Sequence, residues 1–575
     1  MWIHKFTGRR EHRPSTAGAG GAKRTSAGRR WPAALGALVC VAGCTGTLGD
    51  GPDKGNEPGT GPLSCDSAAI DPGPSPMRLL SREQYLNTVR DLVGDVGDLG
   101  NALGAGSSAS AFGLIQPDIT QVEVENFQSA ANVIAAAVVT KADALNAIAP
   151  CSAGADQRGC AKSFVQSFGA RAYRAPITDA SDIERHLSLF DVGAKTSYAH
   201  GIEMLLGAML QAPRFLYRVE IGTDEKVAPH AVKLSGHEIA SRLSYSLWNT
   251  APDARLIAAA DDGTLSTKEG VAAQLGWMLE DPKGKKLVRR FLESWMHVAD
   301  VDKSIKDPAL FPEWQTTTLR ASMQEQARSF FDYVLENQGG HLTTLLTSPT
   351  VFVNKDLGDY YGVAGGDTFQ PLERKDGATS GILTLPAVLA LMAKPSESSP
   401  IYRGKFVREA LLCQQLPAPP ANIPKPPEVA AGVSTRERLK QHETDPACSG
   451  CHSQMDPIGF GFESYDAIGR FRTTDGGKAV DAHGEVLNTD DMNGKFDGVA
   501  ELGQKLASSE QVRDCVARQW FRFALSRFEQ DPDTCSMKKI VDTFQATDAD
   551  LNTLPAAVVA TDAFLYRRPI SETSP

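Results

Sequence analysis

Apolar residues recur along much of the chain at the spacing of helices that pack by one face. After residue 77, the first such stretch places Tyr85, Val89 and Leu92 on one side of a helix, and Gly94 marks its end. Alternation of apolar and polar residues, the pattern of half-buried strands, is scarce. The pattern therefore predicts a mainly α, multidomain helical protein.

Helix-start signals agree with this spacing. A serine or threonine followed three residues later by Glu or Gln satisfies two free backbone N–H groups at a helix start. The motif occurs at Ser81 with Gln84, Thr120 with Glu123, Ser235 with Glu238, and Ser266 with Glu269. The helix that starts at Thr120 is predicted to run through an Ala/Val-rich stretch to about Ala149.

Changes in composition divide the chain. Residues 45–76 are rich in Gly, Pro, Asp and Ser without apolar periodicity, which is typical of a flexible tether. Residues 416–429 are Pro-rich and predict a stiff, extended spacer. The predicted segments are a signal peptide at 1–43, a tether at 44–76, and helical domains at 77–150, 160–222, 233–362, 378–485 and 495–570.

The first 43 residues have the pattern of a secretory signal. Residues 1–30 hold eight basic residues and one acidic residue, and a short apolar run follows at 31–43. The sequence Val-Ala-Gly-Cys ends at Cys44 and resembles the bacterial lipobox, in which the cysteine becomes the first mature residue and is acylated. The alternative is an ordinary signal peptide with an incidental Cys44. Since Thr45 is not the aspartate that often retains such proteins at the inner membrane, we expect an outer-membrane lipoprotein of the bacterial envelope, facing the periplasm or exterior.

The charge of the mature chain limits its partners. Loss of residues 1–43 removes eight basic residues and one acidic residue, which shifts the formal net charge from −10 to −17. An acidic chain has no electrostatic footprint for nucleic acid or anionic lipid, so we expect neither as a partner. No later apolar stretch is long enough to span a bilayer, so the lipid at Cys44 is the only membrane attachment that we expect.

The strongest chemical signal is the sequence Cys448-Ser449-Gly450-Cys451-His452. In the C-x-x-C-H motif of c-type haem, two thiols add to the haem vinyl groups and the histidine ligates iron. Covalent haem c with His452 as the proximal ligand is the favoured prediction. A disulfide or redox-active pair is the second interpretation, and a zinc site is the third, although no second cysteine pair has suitable spacing.

The sixth iron ligand has several candidates. Met455 follows His452 by three residues, so on a shared helix both side chains project from one face and Met455 cannot easily reach the opposite side of the ring. Met492 is forty residues beyond His452, a separation at which a loop could return across the haem. His442 and His483 are alternatives, as is an open iron. Each candidate also has an ordinary interpretation, as a packed methionine or a solvated histidine.

The other cysteines fit an exported protein. Cys65, Cys151, Cys160, Cys413, Cys515 and Cys535 permit up to three disulfides. Cys151 and Cys160 flank a short polar loop and are the most natural local pair. Cys515 and Cys535 are poor partners, because they lie near the starts of two successive predicted helices, whose ends an antiparallel hairpin holds far apart.

Charged residues surround the motif in sequence. One or two basic side chains could hold haem propionates, although ion pairs with Glu409, Glu463 or Asp466 are favoured for each. Asp456, before Pro457, is expected to shape a turn. A cluster of tryptophans, Trp248, Trp277, Trp295 and Trp314, is expected in the core rather than on a sugar-binding surface. The basic residues concerned are Arg403, Lys405, Arg408, Arg470 and Arg472.

Five stretches carry a family resemblance. They include Arg-Ala-Tyr-Arg-Ala-Pro at 171–176 and Ser-Arg-Leu-Ser-Tyr-Ser-Leu-Trp at 241–248, with further motifs at 80–92, 399–409 together with 455–460, and 515–527. Taken in chain order, these stretches resemble a set of domains of unknown function that occur together in secreted proteins of planctomycetes and myxobacteria. The resemblance implies a mainly helical, exported protein with a cytochrome-c-like haem motif, and it implies no substrate.

The residues and the resemblance together predict a redox function. The chain is expected to pass electrons to an unknown redox partner, or to use haem iron oxidatively on an extracytoplasmic substrate. The competing interpretation is a non-catalytic envelope or carbohydrate-associated binding protein, in which Cys448 and Cys451 form a disulfide that closes a loop.

Overall fold

Helices are the main elements of the described fold. A computed structural model describes residues 70–97, 119–152, 154–375, 377–417, 432–444 and 446–570, together with Cys65, Ala102, Leu103 and Phe112. Strands within these residues are only two to four residues long, which confirms the prediction of a mainly α fold. The predicted signal peptide, Cys44, most of the tether and most of the Pro-rich spacer lie outside the described residues.

The N-terminal elements enclose a core of their own. They are β1 (Arg78–Leu79), α1 (Arg82–Val93), α2 (Gln121–Val139), α3 (Ala142–Ile148), α4 (Gln157–Tyr173), α5 (Ala180–Ala194), α6 (Tyr198–Gln211), α7 (Pro213–Leu216) and β2 (Tyr217–Arg218). The predicted capping box starts α1, where Ser81 and Gln84 each accept the other's backbone N–H, and Gly94 ends it. Tyr85 and Leu205 lie fully buried in this core.

The predicted second helix consists of two helices. Thr120 caps α2 as predicted. The Thr140 hydroxyl then donates to the Ala137 carbonyl over 3.0 Å, Lys141 takes an extended backbone, and α3 leaves at an angle of 105°. The prediction of one helix to Ala149 is wrong, because apolar periodicity continues across this local turn. Among the described residues no single helix is long and apolar enough to cross a membrane, while α2 and α3 pass that test only as this bent pair.

The central elements are mainly helices on a second core. They are β3 (Lys226–Ala228), β4 (Ala231–Lys233), α8 (Gly236–Leu247), α9 (Ala254–Asp261), α10 (Lys268–Glu280), α11 (Pro282–Lys285), α12 (Leu287–Trp295), α13 (Thr317–Asp332), α14 (Leu342–Thr347), β5 (Thr350–Val353), α15 (Lys355–Tyr361) and β6 (Gln370–Glu373). The box at Ser235 is confirmed. The capping box predicted at Ser266 is wrong. Ser266 ends a short 3₁₀ turn, and the Thr267 side chain caps α10 by accepting from the Gly270 N–H.

The C-terminal elements complete the second core. They are α16 (Pro386–Leu391), α17 (Pro400–Phe406), α18 (Thr435–Thr444), α19 (Pro446–Phe460), β7 (Thr474–Asp475), β8 (Lys478–Ala479), β9 (His483–Val486), β10 (Gly494–Asp497), α20 (Gly498–Ser508), α21 (Glu510–Leu525), α22 (Thr534–Ala546), α23 (Leu554–Val559), α24 (Asp562–Leu565) and β11 (Tyr566–Arg567). Buried side chains from Leu234 to Leu565 form this one core, so the last three predicted domains share their packing. Trp248 and Trp295 are buried in this core, and Trp277 is half-buried against it. Trp314 is buried in a separate smaller core, so the expected interior place is confirmed for three tryptophans and in part for Trp277.

Strand pairs and disulfides join distant parts of the chain. β1 pairs antiparallel with β2, and β11 pairs antiparallel with β4. The Cys151–Cys160 disulfide is formed as predicted, and Cys515 and Cys535 are not bonded to each other. The remaining bonds are Cys65–Cys535, which links the N-terminal segment to α22, and Cys413–Cys515. Cys413 lies just after the π-helical turn Val407–Leu411 that follows α17, and Cys515 lies on α21.

Candidate functional site

The C-x-x-C-H sequence lies on helix α19. Residues three and four positions apart share a helix face, so the thiols of Cys448 and Cys451 and the imidazole of His452 project from one side of α19. Both cysteines are half-buried free thiols. The other cysteines in the described part of the chain are all in disulfides, so these two are set apart by their bonding.

A buried carboxylate holds the imidazole of His452. The Nδ1 atom of His452 lies 2.9 Å from the Oδ2 atom of Asp456, one helical turn further along α19. The side chain of Asp456 is fully buried and that of His452 is 15% exposed. Because a carboxylate accepts, Nδ1 carries the proton in this hydrogen bond and Nε2 is the nitrogen suited to ligate a metal. The other carboxylate oxygen of Asp456, Oδ1, has no hydrogen-bond partner among the described residues.

The expectation that Asp456 shapes a turn is wrong. Asp456 and Pro457 lie inside α19, which continues to Phe460. Proline removes one backbone donor and usually ends a helix, but here neighbouring elements hold the backbone in place. A Cβ atom added at Gly484 of β9 would lie 2.6 Å from the Pro457 carbonyl oxygen, so the strand packs directly on this turn.

Two glycines bring α17 and α19 into close contact. A Cβ atom at Gly404 would lie 1.9 Å from the Met455 carbonyl oxygen, and one at Gly459 would lie 1.8 Å from the Pro400 carbonyl oxygen. No side chain fits at either position without displacing backbone. The two helices therefore cross with their backbones in contact, directly beside His452 and Asp456.

Two buried arginines of the α17 segment fix α19 further. The Nε atom of Arg408 donates to the Gln454 carbonyl over 3.0 Å, and the same guanidinium bonds the Leu487 carbonyl. Arg403 donates to the carbonyls of Phe462 and Tyr465, at 2.8 Å each, just after α19 ends. Burial lowers the pKa of both arginines to about 10. Their guanidinium groups are used to position the helix rather than to hold a ligand.

The other basic residues near the motif form ion pairs, as favoured from the sequence. Lys405 pairs with Glu409 at 3.6 Å, and Arg472 pairs with Glu463 at 2.9 Å. Arg470 instead pairs with Glu313, at 2.8 Å. Burial is the largest influence on Glu463 and raises its pKa, although Arg403 and Arg472 act in the opposite direction.

The candidate sixth ligands lie in different environments. Met455 is on α19 with His452, so the two share a helix as predicted, and it is 8% exposed. Met492 is 4% exposed within the large core. His483 is exposed at the start of β9, with its Nδ1 atom 2.9 Å from Asp481. The side chain of His442 lies outside the described residues.

The donor set fits covalent haem c. Two unpaired thiols and an imidazole on one helix face are the groups that the motif requires, and the carboxylate beside Nδ1 is the usual partner of a ligating histidine. Among the described residues no group of three or more His, Cys, Asp or Glu could hold a metal ion. Sequence reasoning named Asp456 but missed its contact with His452, although a histidine and a carboxylate four residues apart in a helical stretch are the signal for it.

Comparison with known families accounts for most of the chain. Five models match in order, each described as "Protein of unknown function": DUF1587 at 78–140, DUF1595 at 160–220, DUF1592 at 234–363, DUF1588 at 379–475 and DUF1585 at 493–564. The chain is a tandem array of five domains of unknown function. This confirms the resemblance to such a set, and the array carries its C-x-x-C-H sequence in the DUF1588 match. No curated protein and no solved structure matches the array.

Proposed function

We propose that the array is an exported bacterial lipoprotein that carries one covalent haem c and acts in redox chemistry. The observation that supports this most is the pairing of His452 with the buried Asp456, on the same helix face as two cysteines that are not in a disulfide. A disulfide that merely closes a loop needs no histidine held by a buried carboxylate. A metal-ligating histidine usually donates its second N–H to such an acceptor, because the hydrogen bond fixes the tautomer and increases the basicity of the ring.

Each residue of the site has a defined task in this proposal. The Cys448 and Cys451 S–H groups would add across the two haem vinyl groups, with one thioether bond formed at each cysteine. His452 would hold the iron through Nε2, and Asp456 would orient the ring and raise its electron donation. The bound haem supplies one-electron chemistry. Close packing of Gly404 and Gly459 and the bonds of Arg408 keep α19 in position for it.

The disulfides support an oxidising compartment. Cys65–Cys535, Cys151–Cys160 and Cys413–Cys515 use every described cysteine outside the motif. Such bonds persist in exported proteins and are rare in the cytosol. An exported chain can also be acylated at Cys44, which is the membrane attachment that we propose, with the body of the array facing the periplasm or the exterior.

Expression with a cytochrome c maturation system tests the proposal. Purified protein is expected to have Soret and α absorption bands that survive acid-acetone extraction, since thioether bonds resist it. The matched control is a Cys448→Ala, Cys451→Ala double variant, which should lose the extraction-resistant bands. Colourless wild-type protein after efficient export would exclude the proposal and favour the alternative of an envelope binding protein with a Cys448–Cys451 disulfide.

Carbon monoxide then separates two redox functions. Ready binding to the reduced protein means an open or weakly held sixth position, as oxidative chemistry at iron requires. Absence of binding means a six-coordinate centre, and therefore an electron carrier that serves an unknown redox partner.

A further inference from the structure

Two arginines face each other in the interior, far from the C-x-x-C-H motif in sequence. Arg78 of β1 and Arg218 of β2 are direct partners in the antiparallel pair. Each is only 7% exposed. Side chains of directly opposite residues lie on the same face of such a pair, where two like charges repel each other.

The nearby carboxylates and carbonyls serve other arginines. Glu220 accepts from Arg242 at two atoms, over 2.6 Å and 2.8 Å. Arg174 donates to the carbonyls of Arg214 and Tyr217, over 2.6 Å and 2.7 Å. Glu220 also favours the charged forms of Arg78 and Arg218, but its hydrogen bonds go to Arg242. One carboxylate is therefore shared by three buried arginines, which leaves an excess of positive charge.

Arg78 and Arg218 keep unused donors. Their Nε atoms are buried without a hydrogen-bond partner, and neither side chain forms an ion pair among the described residues. The guanidinium carbon of Arg218 lies over the Tyr245 ring, 5.4 Å from its centre, which is a cation–π contact. Burial lowers the pKa of Arg78, and repulsion from Arg218 lowers it further. Buried positive charge in excess of its one carboxylate is costly, so this arrangement calls for a further anion.

We propose that Arg78 and Arg218 form a binding site for a small, doubly charged oxyanion of the inorganic phosphate or sulfate class. Two guanidinium groups match such an anion in charge and offer planar pairs of N–H donors for its oxygens. Chloride carries a single charge and has no pair of oxygens to accept from the two parallel N–H groups of a guanidinium. The site is independent of the proposed haem.

The site lies where several domains of the array meet. Arg78 begins the DUF1587 match, Arg218 is near the end of the DUF1595 match, and the adjacent Arg242 belongs to the DUF1592 match. Arg242 also donates to the Ala563 carbonyl in α24, over 3.0 Å. A bound oxyanion would therefore join the N-terminal core to the large core and stabilise the assembled array.

Thermal unfolding of the full-length protein tests the site. Millimolar phosphate or sulfate, compared with chloride at equal ionic strength, should raise the Tm by about 2 °C or more. Arg78→Met and Arg218→Met remove a charge but keep an apolar side chain of similar length, and they should abolish this rise. Arg158→Met is the control, because Arg158 pairs with Glu184 and Asp191 on the surface; this variant should keep the full response.

A second measurement covers variants that fail to fold. Calorimetric titration of inorganic phosphate into the wild-type protein should give saturable binding with one site per chain, and sulfate should compete for it. Binding of both anions supports the site and indicates that it selects its ligand by charge. Binding of phosphate alone also supports the site and indicates that the protonation of the anion decides the selection. The absence of saturable binding, or an equal Tm rise in Arg158→Met and Arg218→Met, would overturn the proposal.

Discussion

The Nδ1 atom of His452 lies 2.9 Å from the Oδ2 atom of Asp456, whose carboxylate is fully buried one turn further along the same helix. This hydrogen bond determines how the histidine of the C-x-x-C-H sequence would act on a bound iron. An anionic acceptor makes the imidazole a stronger electron donor, which stabilises the oxidised iron of a bound haem more than the reduced iron.

Loss of the Asp456 charge should therefore raise the reduction potential. We expect Asp456→Asn to shift the midpoint upward by on the order of 60 mV, which corresponds to a tenfold change in a one-electron equilibrium. Potentiometric titration of the holoprotein measures it, and Asp456→Glu should restore part of the shift. Asp481→Asn is the control, because Asp481 makes the same carboxylate–Nδ1 contact with the exposed His483, and otherwise pairs with Arg436. An unchanged potential in Asp456→Asn would mean that the carboxylate does not act on iron.

The close crossing of α17 and α19 should tolerate no side chain. Gly459→Ala places a methyl group against the Pro400 carbonyl, so the backbone must shift, and we expect a loss of about 2–4 kcal/mol in the free energy of unfolding. Gly276→Ala on α10 is the matched control, since no atom lies within 4 Å of its added Cβ. It should stabilise the protein by about 0.5–1 kcal/mol. Urea unfolding compares the two, and equal effects would contradict the close packing.

Met455 should not ligate iron. It shares α19 with His452 and projects from the same face, so it cannot reach the opposite side of a haem that His452 ligates. Met455→Leu should leave the absorption spectrum and carbon monoxide binding of the holoprotein unchanged, whereas His452→Ala should alter both. A new carbon monoxide-sensitive site in Met455→Leu would show that Met455 is the sixth ligand.

The buried Glu220 should make stability depend on acid pH. Burial opposes its charge, but Arg242 with its hydrogen bonds, together with the charges of Arg78 and Arg218, outweighs this and lowers the pKa of Glu220 from its usual 4.5 to about 2. The stabilisation is therefore full above pH 4.5 and is lost as the pH falls towards 2; it amounts to about 3 kcal/mol.

Glu220→Gln tests this dependence. The variant should be less stable than the wild type at neutral pH, and the difference should shrink between pH 4.5 and 2, because acid neutralises Glu220 in the wild type as well. Urea unfolding over this pH range measures the difference. Glu225→Gln should have little effect on stability, because Glu225 is exposed and its ion pair with Lys233, at 3.5 Å, is screened by solvent. A constant difference for Glu220→Gln at every pH would contradict the assignment.

Local signals in the sequence predicted local structure well. The capping boxes at Ser81, Thr120 and Ser235 start helices, since these bonds form between neighbours in the chain. The Cys151–Cys160 bond closes a short loop and could be predicted for the same reason. The break after Val139 escaped prediction because apolar spacing persists across it.

Long-range features could not be predicted from one sequence. Cys65 and Cys535 are 470 residues apart, and nothing in their surroundings marks them as partners. Asp456 is fully buried, and the carbonyl of the preceding residue, Met455, lies against Gly404 of α17. Only the folded chain defines this environment. The same holds for Arg78 and Arg218, which meet through strand pairing across two domains.

The most direct test of the central claim is the mass of one peptide. Trypsin should release residues 441–470 as a single peptide, because no lysine or arginine lies between Lys440 and Arg470. From protein produced with a cytochrome c maturation system, we expect this peptide to carry the added mass of one haem, with both Cys448 and Cys451 blocked to alkylation. A haem-free peptide with a Cys448–Cys451 disulfide, or with two alkylated cysteines, would contradict the claim.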